Sequence, residues 1–205
     1  MTPKVLAVDP GRPDVGAIDV AVAALRAGGL VAFPTESFYG LGAAMHHQDA
    51  LTRVFLVKGR PEDKPLLVLV SSVAMAREVA EVSPAAQELM VRHWPGALTL
   101  VLPARPGVSP LVTAGTGTIG VRHPAHRVPS ILAGRLGSPV TAPSANRSGE
   151  PPLTTAGAVL GAFGEQIAQI DLVLDGGPTP GGLPSTVLDL TVSPPLVRRA
   201  GAVAL

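Results

Sequence analysis

Gly29-Leu30-Val31-Ala32-Phe33-Pro34-Thr35-Glu36-Ser37-Phe38-Tyr39-Gly40-Leu41-Gly42 is the stretch from which the fold is read. Its first five residues form an uninterrupted apolar run, as expected of a buried strand, and lead into a turn punctuated by Pro34 and Gly40. A helix is expected next. Asp49 is placed to cap it, and Leu51, Val54, Phe55 and Val57 fall on one side. Lys58-Gly59-Arg60-Pro61-Glu62-Asp63-Lys64-Pro65 follows, a segment whose glycine and prolines forbid further helix. It carries Lys58, Arg60 and Lys64, and three cations on a stiffened loop suggest a fixed anion site.

Working outward, residues 1–14 carry three prolines and little periodicity, which fits an N-terminal arm or an added edge strand. Asp14 is expected to cap a helix through Ala27, with Ile18, Val22 and Leu25 as its apolar stripe and Gly28-Gly29 as its stop. Leu66–Val70 is a second continuous apolar run, typical of an interior strand. Two helices should follow, the second started by Ser83 and Pro84. Strands are expected at 97–102, 118–122, 139–142, 172–174, 185–190 and 196–199. Helices are expected at 128–136 and after Thr154 or Thr155, with a loop at 104–117. Strands and helices alternate without strict regularity and without internal repeats, which predicts α/β or α+β architecture with a twisted mixed β-sheet.

Composition sets the outer limits. Hydrophobic residues make up 46% of the 205 positions and charged residues 15%, so a large core is available and disorder is not expected. The 23 glycines and 22 prolines punctuate periodic segments instead of forming a low-complexity tract. A net charge of +1 and 3% aromatics give no compositional argument for nucleic-acid binding. With no cysteine, disulfides, thiolate nucleophiles and Cys-ligated metals are excluded. His123 and His126 are spaced three apart, but Pro124 prevents a clean helical pair, and no metal site is expected. No leader-like or long apolar segment is seen, so a cytoplasmic protein with no membrane contact is expected.

Five blocks in order then carry a resemblance: PTESFYGLG (34–42), KGRPEDKPL (58–66), GVRHP (120–124), APSANRSG (142–149), and PSTV (184–187) with RRAG (198–201). Together they resemble the YrdC-like family, the threonylcarbamoyl-AMP synthases of tRNA modification. One such block would be weak; five in order are specific. The resemblance implies a YrdC-like fold over residues 15–201, a short 202–205 tail, and a sheet around a positively lined cavity. Longer relatives carry a further C-terminal domain, so closure over the site is expected from this chain's loops or N-terminal arm.

For the cations, the bland reading is a solvated basic turn, which is how most charge clusters behave. The functional reading is a triphosphate cradle, Arg60 supplying a planar fork and Lys58 and Lys64 point charges. The resemblance favours the second and gives Lys58 and Arg60 the catalytic role. It extends the ATP site to Thr118, Ser144, Asn146, Pro152 and Arg199. Ser144-Ala145-Asn146 is also good turn chemistry, and Arg199 is equally suited to a solvated strand. Thr35, Arg122, Ala142 and Ser185 are implied to hold threonine, although Thr35 alone reads as a turn cap and Arg122 as an ion-pair partner. Two departures from the family pattern stand out: Leu69 where several relatives carry a threonine-contacting His, and Ser37 where Thr or Ala is usual.

The implied activity condenses L-threonine, bicarbonate or CO2, and ATP into threonylcarbamoyl-AMP and pyrophosphate, with Mg2+ arriving on ATP. A separate transferase would then modify tRNA. Two alternatives come from other classes. One is an RNA-binding module for tRNA or double-stranded RNA, which the low charge and few aromatics disfavour. The other is a carbamoyl-transfer paralogue of the hydrogenase-maturation type, which normally brings zinc-binding cysteines.

Overall fold

The computed structural model describes residues 2–205. From the N-terminus, β1 (Lys4–Ala7) precedes α1 (Val15–Arg26), β2 (Val31–Phe33), β3 (Gly40–Gly42) and α2 (Gln48–Lys58). Then come β4 (Leu67–Leu69), α3 (Val73–Val79), α4 (Pro84–His93), β5 (Leu98–Pro103), α5 (Pro110–Thr113) and β6 (Thr118–Arg122). The chain continues through α6 (Arg127–Leu136), β7 (Val140–Thr141), α7 (Ala156–Ala162) and a 3-10 segment (Gly164–Gln169). It closes with β8 (Leu172–Asp175), β9 (Thr186–Asp189) and β10 (Leu196–Arg199).

The strands form two mixed sheets: four strands in the order β1-β8-β2-β3, and six in the order β10-β9-β5-β6-β4-β7. They meet where Thr141 N donates to Ala43 O at 2.9 Å, Ala43 N donates to Thr141 Oγ1 at 2.9 Å, and Gly40 bridges Ser144. Residues 1–14 contribute an edge strand, β1, parallel to β8. The last residues are also tied down: Thr186 Oγ1 donates to Val203 O at 2.6 Å.

Local chemistry accounts for most boundaries. Asp14 Oδ1 accepts from Ala17 N at 3.0 Å, Ser83 Oγ from Ala86 N at 3.2 Å, and Thr155 Oγ1 from Ala158 N at 3.2 Å, each satisfying an orphan donor of a first helical turn. Leu51, Val54, Phe55 and Val57 face the core as their spacing requires.

Three expectations need correction. Asp49 does not cap α2: the helix starts at Gln48, with His47 as N-cap and Asp49 inside the first turn, where its charge favours the helix dipole. Lys58 is not a loop residue, because α2 runs through it and stops at Gly59, whose φ of 59° is the left-handed cap geometry that glycine tolerates. Finally, the 104–117 loop contains the short helix α5, started by Ser109 and Pro110.

Candidate active site

A cleft of about 690 Å³ opens over one face of the six-stranded sheet. Its floor is built from alternating strand residues: Thr99 on β5, Gly120 and Arg122 on β6, and Val187 on β9. One wall is the Thr35–Gly40 turn, and the other is the Ala142–Pro152 segment after β7. Of the twelve residues expected from sequence, nine line this cleft: Thr35, Arg60, Arg122, Ala142, Ser144, Asn146, Pro152, Ser185 and Arg199.

The other three are placed differently. Lys58 is 3% exposed, and its Nζ donates to the carbonyls of Ser144 and Asn146, both at 2.5 Å. Ser148 N donates in turn to Lys58 O at 2.8 Å. Lys58 is therefore the clamp of the Ser144–Ser148 loop and not a cation free in the cleft. Burial, with a smaller push from Arg60, lowers its ammonium from 10.5 to about 8. Lys64 is exposed and does not line the cleft. Thr118 shares the sheet face of Gly120 and Arg122 by strand alternation but lies beyond the lining, its hydroxyl paired with Thr116 at 2.8 Å.

Three guanidinium groups converge on the cavity. Arg60 Nε donates to Lys64 O at 3.2 Å and its Nη2 to Pro65 O at 2.8 Å, so this side chain also braces its own loop. Arg122 is 5% exposed and pairs with Glu36 at 3.4 Å, while its Nε is buried without a partner. Arg199 Nε donates to Ser185 O at 3.0 Å and its Nη2 to Ser185 Oγ at 2.9 Å. Desolvation lowers the pKa of all three, and Arg199 is lowered further by Arg122. Such like-charge crowding is costly without an anionic partner. Glu150 is the one carboxylate among the lining residues.

The remaining groups are held by turns and neighbours. Thr35 Oγ1 donates to Phe38 O at 2.6 Å and accepts from Ser37 N and Phe38 N at 3.3 Å, so Thr35 caps its turn and lines the cleft at once. Asn146 Nδ2 donates to Arg147 O and Glu150 O, which aims its buried Oδ1 elsewhere, and that atom has no partner. Ser185 Oγ lies 2.9 Å from Thr99 Oγ1. Thr99 was not anticipated; its one signal was a hydroxyl inside the apolar run Leu98–Leu102. Tyr39 was missed as well. Its hydroxyl donates to Gly177 O at 2.9 Å and burial pushes its pKa up to about 12. Leu69 is fully buried and sits beside Arg122 in register on the neighbouring strand, without lining the cleft.

The Sua5/YciO/YrdC family model, described as Telomere recombination, matches residues 23–201. The chain belongs to this family. It is 42% identical over 189 residues to the threonylcarbamoyl-AMP synthase of Pyrococcus abyssi, covering 92% of this chain and 55% of that protein. It is 43% identical over 185 residues to the threonylcarbamoyl-AMP synthase of Bacillus subtilis, covering 89% of this chain and 53% of that one. A crystal structure of P. abyssi Sua5 complexed with L-threonine superimposes with a TM-score of 0.90 at 41% identity, covering 96% of this chain and 57% of that chain. The chain thus spans about half the length of these relatives. The YrdC-like fold, with twisted mixed sheets and flanking helices, holds as expected. Among the described residues, no cluster of three or more His, Cys, Asp or Glu is grouped to hold a metal, and no helix is long and apolar enough to cross a membrane.

Proposed function

We propose that this protein is an L-threonylcarbamoyladenylate synthase acting in the cytoplasm. One observation carries the reading: Arg60, Arg122 and Arg199 converge on one cleft, and the buried Arg122 keeps its Nε unpartnered. A buried cation with a spare donor calls for an anion, and a carboxylate matches its planar fork. The relatives named threonylcarbamoyl-AMP synthase, and the threonine complex of one of them, support the same reading.

In this scheme Arg122 takes the threonine carboxylate, with Thr35, Ala142 and Ser185 around the amino acid. Arg60 and Arg199 face the nucleotide phosphates, while Ser144, Asn146 and Pro152 form its wall. Lys58 acts on the nucleotide by holding that wall and by its charge, and Lys64 and Thr118 belong to the rim. The threonine nitrogen bonds to the carbon of CO2 or bicarbonate, losing a proton, and water in the bicarbonate case. The carbamate oxygen then attacks the α-phosphorus of ATP, the bond to the β-phosphate oxygen breaks, and pyrophosphate leaves. Such a reaction needs positioning and charge neutralisation, not a protein nucleophile. Mg2+ travels with the triphosphate, and Glu150 is the carboxylate suited to it, since Mg2+ bound to phosphates needs few protein ligands. The product passes to a separate transferase that modifies tRNA. The RNA-binding alternative has less support: Tyr39, one of two aromatic residues in the lining, is fully buried and hydrogen-bonded, not free to stack on a base.

The test is pyrophosphate release from ATP. It should require L-threonine and bicarbonate together; release that ignores either one would overturn the proposal.

A further inference from the structure

We propose that Glu36 is a positioning residue for the amino-acid substrate, fixing from behind the cleft wall the plane in which Arg122 presents its guanidinium. The inference rests on the synthase reading above. Arg122 lines the cleft but Glu36 does not. Glu36 belongs to a second cavity of about 500 Å³, on the far side of the Thr35–Glu36 segment, together with Pro10, Gly11 and His126. Thr35 lines both cavities, so this segment is the partition between them.

The carboxylate reaches through that partition to hold one stretch of chain at two points. Glu36 Oε1 lies 3.4 Å from Arg122 Nη1 and accepts from Ala125 N, also at 3.4 Å. The side chains of Arg122 and Glu36 are 6% and 22% exposed, so water screens the pair little. Among the described residues, no other acidic side chain pairs with Arg122, while Arg199 pushes on it with like charge. A long side chain between another cation and an open cleft would have to be ordered at the moment of binding, which costs affinity. Tethering the Nη1 end removes that cost and fixes the guanidinium plane of a residue that lines the cleft. Thr35, locked by its own hydroxyl bonds, keeps Glu36 in place.

The alternative role for an acid beside this arginine is a competing counter-ion, and the two roles predict opposite signs. Removing a competitor tightens carboxylate binding, whereas removing a brace weakens it. The experiment compares wild type with E36Q, E36A, R122A and the E36A/R122A double variant. L-threonine binding is followed by calorimetry, and the KM values for L-threonine and ATP by pyrophosphate release. E36A should raise the Kd and KM for L-threonine by about tenfold or more. The KM for ATP should stay within about twofold, because the carboxylate does not face the nucleotide side. E36Q, nearly isosteric and still able to accept both N–H groups, should fold normally and fall between wild type and E36A. In the R122A background, E36A should add little, since its effect passes through Arg122. Unchanged or tighter L-threonine binding in E36Q and E36A, an equal loss for ATP, or an undiminished effect without Arg122 would each overturn the inference. A wild-type protein that neither binds L-threonine nor releases pyrophosphate would instead overturn the synthase reading itself, and the inference with it.

Discussion

The ammonium of Lys58, at the last position of α2, donates to the carbonyl of Ser144 at 2.5 Å across 86 positions of sequence. This contact joins the two blocks that the synthase reading assigns to the nucleotide. It makes the phosphate-facing wall and the helix end a single unit. Lys58→Met would leave two buried carbonyls without their donor, at about 1–3 kcal/mol each. The melting temperature should fall by roughly 4–24 °C, since the loss sums to about 2–6 kcal/mol and 1 kcal/mol is worth about 2–4 °C in a chain of this size. ATP affinity should fall with it. Calorimetric melting and ATP titration of the same variant check both.

The Lys58 proton gives a pH signature in which binding and stability move in opposite directions. Burial first, and Arg60 second, lower this ammonium from 10.5 to about 8. Between those two values the folded protein has released a proton that the unfolded chain still holds, so this group's contribution to stability rises with pH. Over the same window, on the synthase reading, the site loses a positive charge close to the nucleotide, so ATP affinity should fall with a midpoint near pH 8. The fall should be absent in Lys58→Met. ATP titrations between about pH 7 and pH 9.5 would decide it.

Arg60 has two tasks. Its donors to Lys64 O and Pro65 O hold the loop, and its remaining donors face the cleft. Arg60→Ala should lower ATP-dependent turnover by roughly tenfold to a hundredfold, the value of a charge-assisted bond of about 1.5–3 kcal/mol. Arg60→Lys should recover only part of it, because a point charge cannot reproduce the fork. Melting should shift by only a few degrees, since the loop bonds are exposed. A large drop in melting temperature with intact ATP binding would make Arg60 purely structural.

Gly201 lies against the segment that carries Ser185. A Cβ there would meet Pro184 O at 2.3 Å and Thr186 N at 2.6 Å, backbone atoms that cannot swing aside. Gly201→Ala should cost about 1–3 kcal/mol by overpacking and weaken L-threonine binding by displacing Ser185. Gly157→Ala, on the exposed side of α7 with nothing within 4 Å, is the control and should stabilise by about 0.5–1 kcal/mol.

If the synthase reading holds, selection of threonine over serine would depend on one methyl contact near Thr35 and Ser185. It should therefore be modest, roughly tenfold in kcat/KM. Equal turnover of the two would argue against the pocket assigned here.

Much of this architecture was legible in the residues. Caps at Asp14, Ser83 and Thr155, the apolar runs of β2 and β4, and the β6 strand at 118–122 follow from local chemistry that tertiary contacts reinforce. Convergence of Arg60, Arg122 and Arg199 on one cleft was suggested by the family resemblance and not by spacing, because they lie far apart in sequence, on the loop after α2, on β6 and on β10. From sequence Lys58 reads as a loop cation, because the glycine that ends α2 looks the same whether the lysine before it points to solvent or inward. Glu36 and Thr99 gave almost no signal, since each acts on a neighbour in space that is distant in sequence.

The most direct test uses 13C-labelled bicarbonate with ATP and L-threonine, followed by mass spectrometry of the adenylate product. The account predicts a threonylcarbamoyl adenylate that carries the label and appears in step with pyrophosphate. An unlabelled threonyl adenylate, or ADP and phosphate in place of AMP chemistry, would contradict it.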